Sequence, residues 1–135
     1  MSAAWQNVLG VMAGGALGAL CRYLVAISLQ MPLLQTPYAG LPVATLLVNV
    51  VGSFLLAFLS MLAAQNQLSG FWLLTLGTGF VGAFTTFSTF ELDSHGLLKS
   101  GQLGYALVYI GGNLFLGYSA LLAGQAAALR LGRFF

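Results

Sequence analysis

Gly77-Thr78-Gly79-Phe80-Val81-Gly82-Ala83-Phe84-Thr85-Thr86-Phe87-Ser88-Thr89-Phe90 decides how this chain folds. The stretch carries no charge, so it can lie in hydrocarbon, yet it is a poor helix. Three glycines and a Thr/Ser cluster disfavour continuous helix. Irregular backbone at membrane depth is tolerated only where it is buried in protein or lines a cavity. The expected structure is therefore a helix broken mid-membrane, whose freed backbone carbonyls can bind a cation. Gly77, Gly79 and Gly82 also fit GxGxxG. A dinucleotide site is excluded, because no βαβ unit surrounds them and no acid follows in the right setting.

Working outward, the flanking sequence is as apolar as the stretch itself. Of 135 residues, 59% are hydrophobic and 4% are charged, against about 25% charged in a soluble domain. Four apolar runs stand out, at about 5–29, 41–64, 71–90 (helix continuing to about 98) and 103–129. Each reaches the roughly 20 residues that a membrane-spanning helix needs. The expectation is one all-α domain over 1–135 with four transmembrane helices, the third broken. The first residues, Met1 to Asn7, hold no Lys or Arg, so the first run is expected to be retained rather than cleaved as a signal.

Charge is scarce. Arg130 and Arg133 fall on the side of the termini; Lys99, and Arg22 if it snorkels, fall on the other. Two against two gives no orientation under the positive-inside rule. Two readings stay open: both orientations inserted and paired antiparallel, or another determinant of orientation. The net charge of +2 forms no basic stripe for nucleic acid. Cys21 stands alone in an apolar run, which excludes a disulfide framework.

Gly10, Gly14 and Gly18 repeat every four residues, a small-residue row for close helix crossing. Oligomerisation, as a dimer, is expected from it. Arg22 continues the row. A basic residue inside an apolar run either snorkels to the interface or serves a function, here an anion-attracting vestibule. Thr45, Asn49 and Ser53 share one face of the second span, and Tyr109, Asn113 and Gly117 one face of the fourth. Each is a polar strip suited to helix–helix hydrogen bonding or to a partly dehydrated solute. Phe84, Phe87 and Phe90 recur every three residues. Aromatic edges carry positive character and can hold a small anion without a formal charge. Ser88 and Thr89 add hydroxyl donors. Catalysis finds no support: Glu91 and Asp93 lie past the third run, and His95 is expected in an exposed loop. The chain is not expected to be an enzyme.

Together these residues resemble the Fluc (CrcB) family of fluoride channels over essentially the whole chain. The resemblance rests on Gly14-Gly15 through Arg22, Thr45-Leu46-Leu47-Val48-Asn49, and Gly82 through Phe90. The Thr85-Thr86-Phe87-Ser88-Thr89-Phe90 run is its most specific part. The resemblance implies an antiparallel dual-topology homodimer with two fluoride pores, in a bacterial plasma (inner) membrane. It implies a structural Na+ at the dimer centre, held by backbone carbonyls of Gly82 and Thr85. Phe87 and Phe90 correspond to the phenylalanines whose edges meet fluoride, and Asn49 to the pore-lining amide. Ser88, Thr89 and Thr45 correspond to the polar track, and Arg22 to the vestibule arginine. The residue reading adds Tyr109 and Asn113 to that pathway.

The chain departs from the family in two places. Relatives commonly carry Phe-Ser-x-Glu after the motif. Here Phe90-Glu91-Leu92-Asp93 puts Asp93 in the acidic place and Glu91 in the serine's. Asn113 stands where relatives often have Ser.

The implied activity is passive export of fluoride, which confers fluoride resistance. Two other classes compete. A small dual-topology multidrug exporter needs a membrane-embedded carboxylate, and none of the four apolar runs holds an acid. A non-transporting scaffold explains the glycine row but not the dense polar–aromatic break.

Overall fold

The computed structural model describes residues 2–33 and 40–132. Arg133 of the charge tally lies outside the described residues. The chain runs α1 (Ala3–Leu33), α2 (Val43–Ala64), then α3, made of three contiguous pieces at Gly70–Trp72, Leu73–Val81 and Gly82–Phe84. Two non-helical residues follow, then α4 (Phe87–Lys99) and α5 (Leu103–Leu131). The described residues contain no strand. Four helical stretches are long and apolar enough to cross a membrane: Ala3–Leu29, Val43–Ala64, Gly70–Lys99 and Leu103–Leu131. Large side chains such as Met12, Leu107, Val108 and Phe115 are exposed on the isolated chain, as expected where hydrocarbon replaces water around the helices. The protein is therefore a multi-pass membrane protein.

The third span is interrupted, though not at the glycines. Thr85 (φ −84°, ψ 161°) and Thr86 (φ −153°, ψ 116°) are extended, and the helix restarts at Phe87. Gly77 and Gly79 instead lie in a π-helical segment, Leu73–Val81, where the N–H of Gly82 reaches back five residues to the Gly77 carbonyl. π-turns are rare outside functional sites. Glycine weakened the regular helix here without ending it. The end comes where two threonines offer the backbone other hydrogen bonds.

The π segment explains the glycine row. Its wide turns carry backbone outward against α1, its main packing partner. A Cβ at Gly14 would meet the Thr75 carbonyl oxygen, and one at Gly18 the Phe80 carbonyl oxygen. The row that sequence assigned to oligomerisation is thus occupied within the chain, and gives no argument for a second copy. α2 packs chiefly along α5, and α4 folds back onto α5. His95 lies in α4 rather than in a loop, and it is exposed.

Candidate functional site

The break is held by one side chain. In a continuous helix the Thr86 N–H would close on the Gly82 carbonyl. Here it donates to Asn49 Oδ1 at 2.9 Å, and Asn49 Nδ2 donates back to the Thr86 carbonyl at 3.2 Å. The primary amide copies the donor–acceptor pair of a backbone and clamps the extended residue to α2. Leaving such groups unpaired in an apolar setting costs about 2–7 kcal/mol each, so an amide opposite Thr86 is what makes a break here tolerable. Asn49 Nδ2 also donates to Asn113 Oδ1 at 2.9 Å, and Asn113 Nδ2 donates to the Tyr109 carbonyl at 3.0 Å. A relay therefore runs from α5 through α2 to the break.

Thr86 then starts the next helix. Its Oγ1 accepts from the Thr89 N–H at 3.2 Å, an N-cap, while its hydroxyl lies 2.9 Å from Thr89 Oγ1. Sequence reasoning left Thr86 out of the site. Its signal was a capping residue immediately before a helical run. Thr85 turns the other way: its N–H and its hydroxyl both donate to the Val81 carbonyl, each at 3.0 Å.

Two clefts border Thr86. One, about 260 Å³, is lined by Asn49, Thr85, Phe87, Phe90 and Asn113 among others. The second, about 330 Å³, is lined by Arg22, Tyr23, Thr45, Thr86 and Thr89. Phe87 and Phe90 lie 5.6 Å apart at 45°, and Phe90 lies 5.6 Å from the Tyr109 ring. Phe90 is buried, whereas Phe87 is 69% exposed in mid-span. Phe84 leaves this row: it is buried and stacks on Phe80 at 5.7 Å. Ser88 is exposed beside Phe87. Arg22 is half-buried, and its Nε is buried without a protein partner.

Asp93, which the sequence placed past the third apolar run, is engaged inside the bundle. Its Oδ2 accepts from the Thr45 hydroxyl and from the Tyr109 hydroxyl, each at 3.0 Å. Tyr109 is fully buried. These two bonds tie α4 to α2 and to α5. Glu91 is exposed. Of the second-span strip, Ser53 bonds back to the Asn49 carbonyl at 2.8 Å, and Gly117 of α5 lies beside its hydroxyl.

A cation at the break would need oxygen donors. The extended Thr85 ends the helix, and the Thr86 N–H is engaged by Asn49, so it does not serve the Gly82 carbonyl. Carbonyl oxygens suit a hard cation such as Na+, so Gly82 and Thr85 fit that role chemically. Among the described residues no group of three His, Cys, Asp or Glu gathers to hold a metal.

A sequence model of the family described as "CrcB-like protein, Camphor Resistance (CrcB)" matches residues 9–125. A "Fluoride-specific ion channel FluC" from Deinococcus radiodurans is 45% identical over 118 residues, 87% of this chain and 91% of the relative. Relatives of the same name from Chlorobaculum tepidum and Acidobacterium capsulatum are 44% and 41% identical. They span 91% and 93% of this chain, and 94% and 98% of the relatives themselves.

Proposed function

The chain belongs to the CrcB family, and on that premise we propose that it is a fluoride channel: a passive path that lets fluoride leave the cytoplasm and so confers resistance to it. Membership of a channel family makes it a transport protein rather than an enzyme. The observation that carries the reading is the near full-length likeness to fluoride-specific channels, together with a polar, ring-lined break in an uncharged part of the third span.

The physical task is to strip water from a small, strongly hydrated anion without trapping it. Several weak contacts suit that better than one strong charge. On this reading fluoride passes the edges of Phe87 and Phe90 and takes hydrogen bonds from the polar track. That track comprises Asn49, Ser88, Thr89 and Asn113, backed by Thr45 and Tyr109, whose hydroxyls donate to Asp93, and Arg22 attracts the ion from its cleft. A negative cell interior supplies about 2.3 kcal/mol per charge per 100 mV.

The working unit is an antiparallel homodimer in a bacterial inner membrane. Phe87 supports it: a ring 69% exposed beside an unsheathed polar cleft is better covered by a second copy than by lipid. A Na+ ion at the dimer centre would be held by the Gly82 and Thr85 carbonyls of both copies, and it would bind the two broken helices together. An exporter coupled to protons needs a carboxylate facing the cleft. Asp93 lies in the third span's continuation but borders neither cleft, and two hydroxyls hold it.

Fluoride-loaded proteoliposomes, with potassium and valinomycin clamping the potential, test the proposal. Fluoride reaching an external electrode without a proton gradient is expected. Well-folded protein that releases none would sink the channel reading, and release that requires a proton gradient would favour the exporter.

A further inference from the structure

The third span is uncharged up to its break, and α4 then carries charge on its outer face. Phe87, Glu91 and His95 follow one another at four-residue spacing, so they share one side of the helix, and Lys99 follows in its last turn. All four are exposed on the isolated chain. The opposite face is packed. Phe90 and Leu97 lie in a buried cluster with Tyr109, and Tyr105 of α5 packs against it. Asp93 is held by Thr45 and Tyr109. α2, which also touches α4, has no titratable side chain. Arg22 lines the other cleft, and Arg130 lies in the last turn of α5. Glu91 and His95 bond no described residue of the chain.

Glu91 lies too deep to face lipid. About 12 Å of helix separates it from the end of the span at Lys99. A carboxylate inside a bilayer faces a partner or water. With no described partner in the chain, Glu91 needs water that enters from the Lys99 end. That water then stops one helical turn, about 6 Å, short of Phe87.

Resting on the channel reading above, we infer that Glu91 and His95 form an acid-activated mouth on the fluoride path. At high pH the Glu91 carboxylate repels the anion one turn from the Phe87 ring. A histidine gains a proton, and with it a positive charge, as pH falls from about 8 to about 5. That charge on His95 stands one turn from Glu91 and offsets it. The charges of Glu91 and Lys99 cancel at high pH, so the protonated face becomes net positive. The sign suits the task. Fluoride is protonated in acid and crosses lipid as neutral HF, so a path that speeds up in acid is fastest when most fluoride enters. In an antiparallel pair one such mouth faces each side of the membrane.

Fluoride efflux from proteoliposomes tests this at equal internal and external pH, about 8 and about 6, values that bracket histidine protonation. The leak of protein-free vesicles is subtracted. Wild type is expected to run about threefold faster at the lower pH, the size of one repulsion between unit charges about 8 Å apart in water. Glu91→Gln should reach that faster rate already at the higher pH. His95→Gln should keep the slow rate at both values, and His95→Lys the fast rate at both. All three variants change exposed side chains, and size exclusion should show them monodisperse. Wild-type efflux independent of pH would overturn the inference. So would a Glu91→Gln rate no faster than wild type at the higher pH, which would set the carboxylate against the second copy instead of water. A pH dependence that survives in both His95 variants would overturn the part given to His95. Wild-type vesicles that hold their fluoride at both values would overturn the channel reading itself.

Discussion

Along the seam between α1 and α3, backbone lies on backbone; around the break between α3 and α4, side chains bond backbone. At the seam, Gly14 and Gly18 let the carbonyls of Thr75 and Phe80 approach α1 with nothing in between. At the break, Asn49, Asn113, Tyr109 and Asp93 fill the space with directed hydrogen bonds. The seam needs the absence of side chains, and the break needs particular ones. Within a bilayer, apolar helices gain no hydrophobic free energy by touching each other, so close packing and hydrogen bonds must hold them together. This chain assigns one of those means to each side of α3.

That difference orders the effects of mutation. The largest belongs to the seam. Gly18→Val sets a branched side chain against the Phe80 carbonyl, which is backbone and cannot rotate away. The expected cost is more than about 3 kcal/mol, seen on size exclusion as loss of monodisperse protein. Ala16→Val, exposed on the same helix, should change stability by less than about 0.5 kcal/mol. If the two behave alike, the seam is not built as described.

Next comes the polar side. Tyr109→Phe leaves Asp93 with the Thr45 hydroxyl alone. Thermal unfolding in detergent should show a loss of about 1–3 kcal/mol, with the fold retained. A loss as severe as that of Gly18→Val would erase the contrast between the two regions.

Phe87→Ile tests the break as a pathway. It removes a ring edge at a position exposed on the single chain, so the fold of that chain should hold. Fluoride efflux should fall about tenfold, in line with roughly 1.4 kcal/mol for one aromatic contact. Unchanged efflux would take Phe87 out of the path.

The smallest effect is electrostatic. Arg22→Gln keeps the 330 Å³ cleft polar but removes its charge. Efflux should drop by about threefold in dilute buffer and converge on wild type in concentrated salt, as screening predicts. A drop independent of salt would make Arg22 a direct ligand instead of an attractor.

Much of this was legible beforehand. The spans follow from composition, because six charged side chains in 135 residues cannot solvate a globular surface. The interruption of the third span was legible as weak helix propensity, and the polar strips were legible as four-residue periodicity. Their partners were not. Propensity located the weakness at Gly77 to Gly82, but the helix ends at Thr85 and Thr86 because Asn49, 37 positions away, waits opposite Thr86. Spacing showed Gly10, Gly14 and Gly18 as a contact row without saying what contacts it. The π segment that fills it has no sequence code of its own. Asp93 read only as an acid past the third run, because its two hydroxyl partners sit on other helices.

The sequence alone determined that this chain is a bundle of membrane helices with one uncharged, glycine- and threonine-rich weak point and a set of amides and hydroxyls to serve it. Composition and period suffice for that, because the bilayer permits so few backbone structures. Only the tertiary structure decided where the helix breaks and which amide holds it. Those outcomes depend on donors and acceptors from distant positions meeting within 3 Å or so, and a hydrogen bond is satisfied in space, not along the chain.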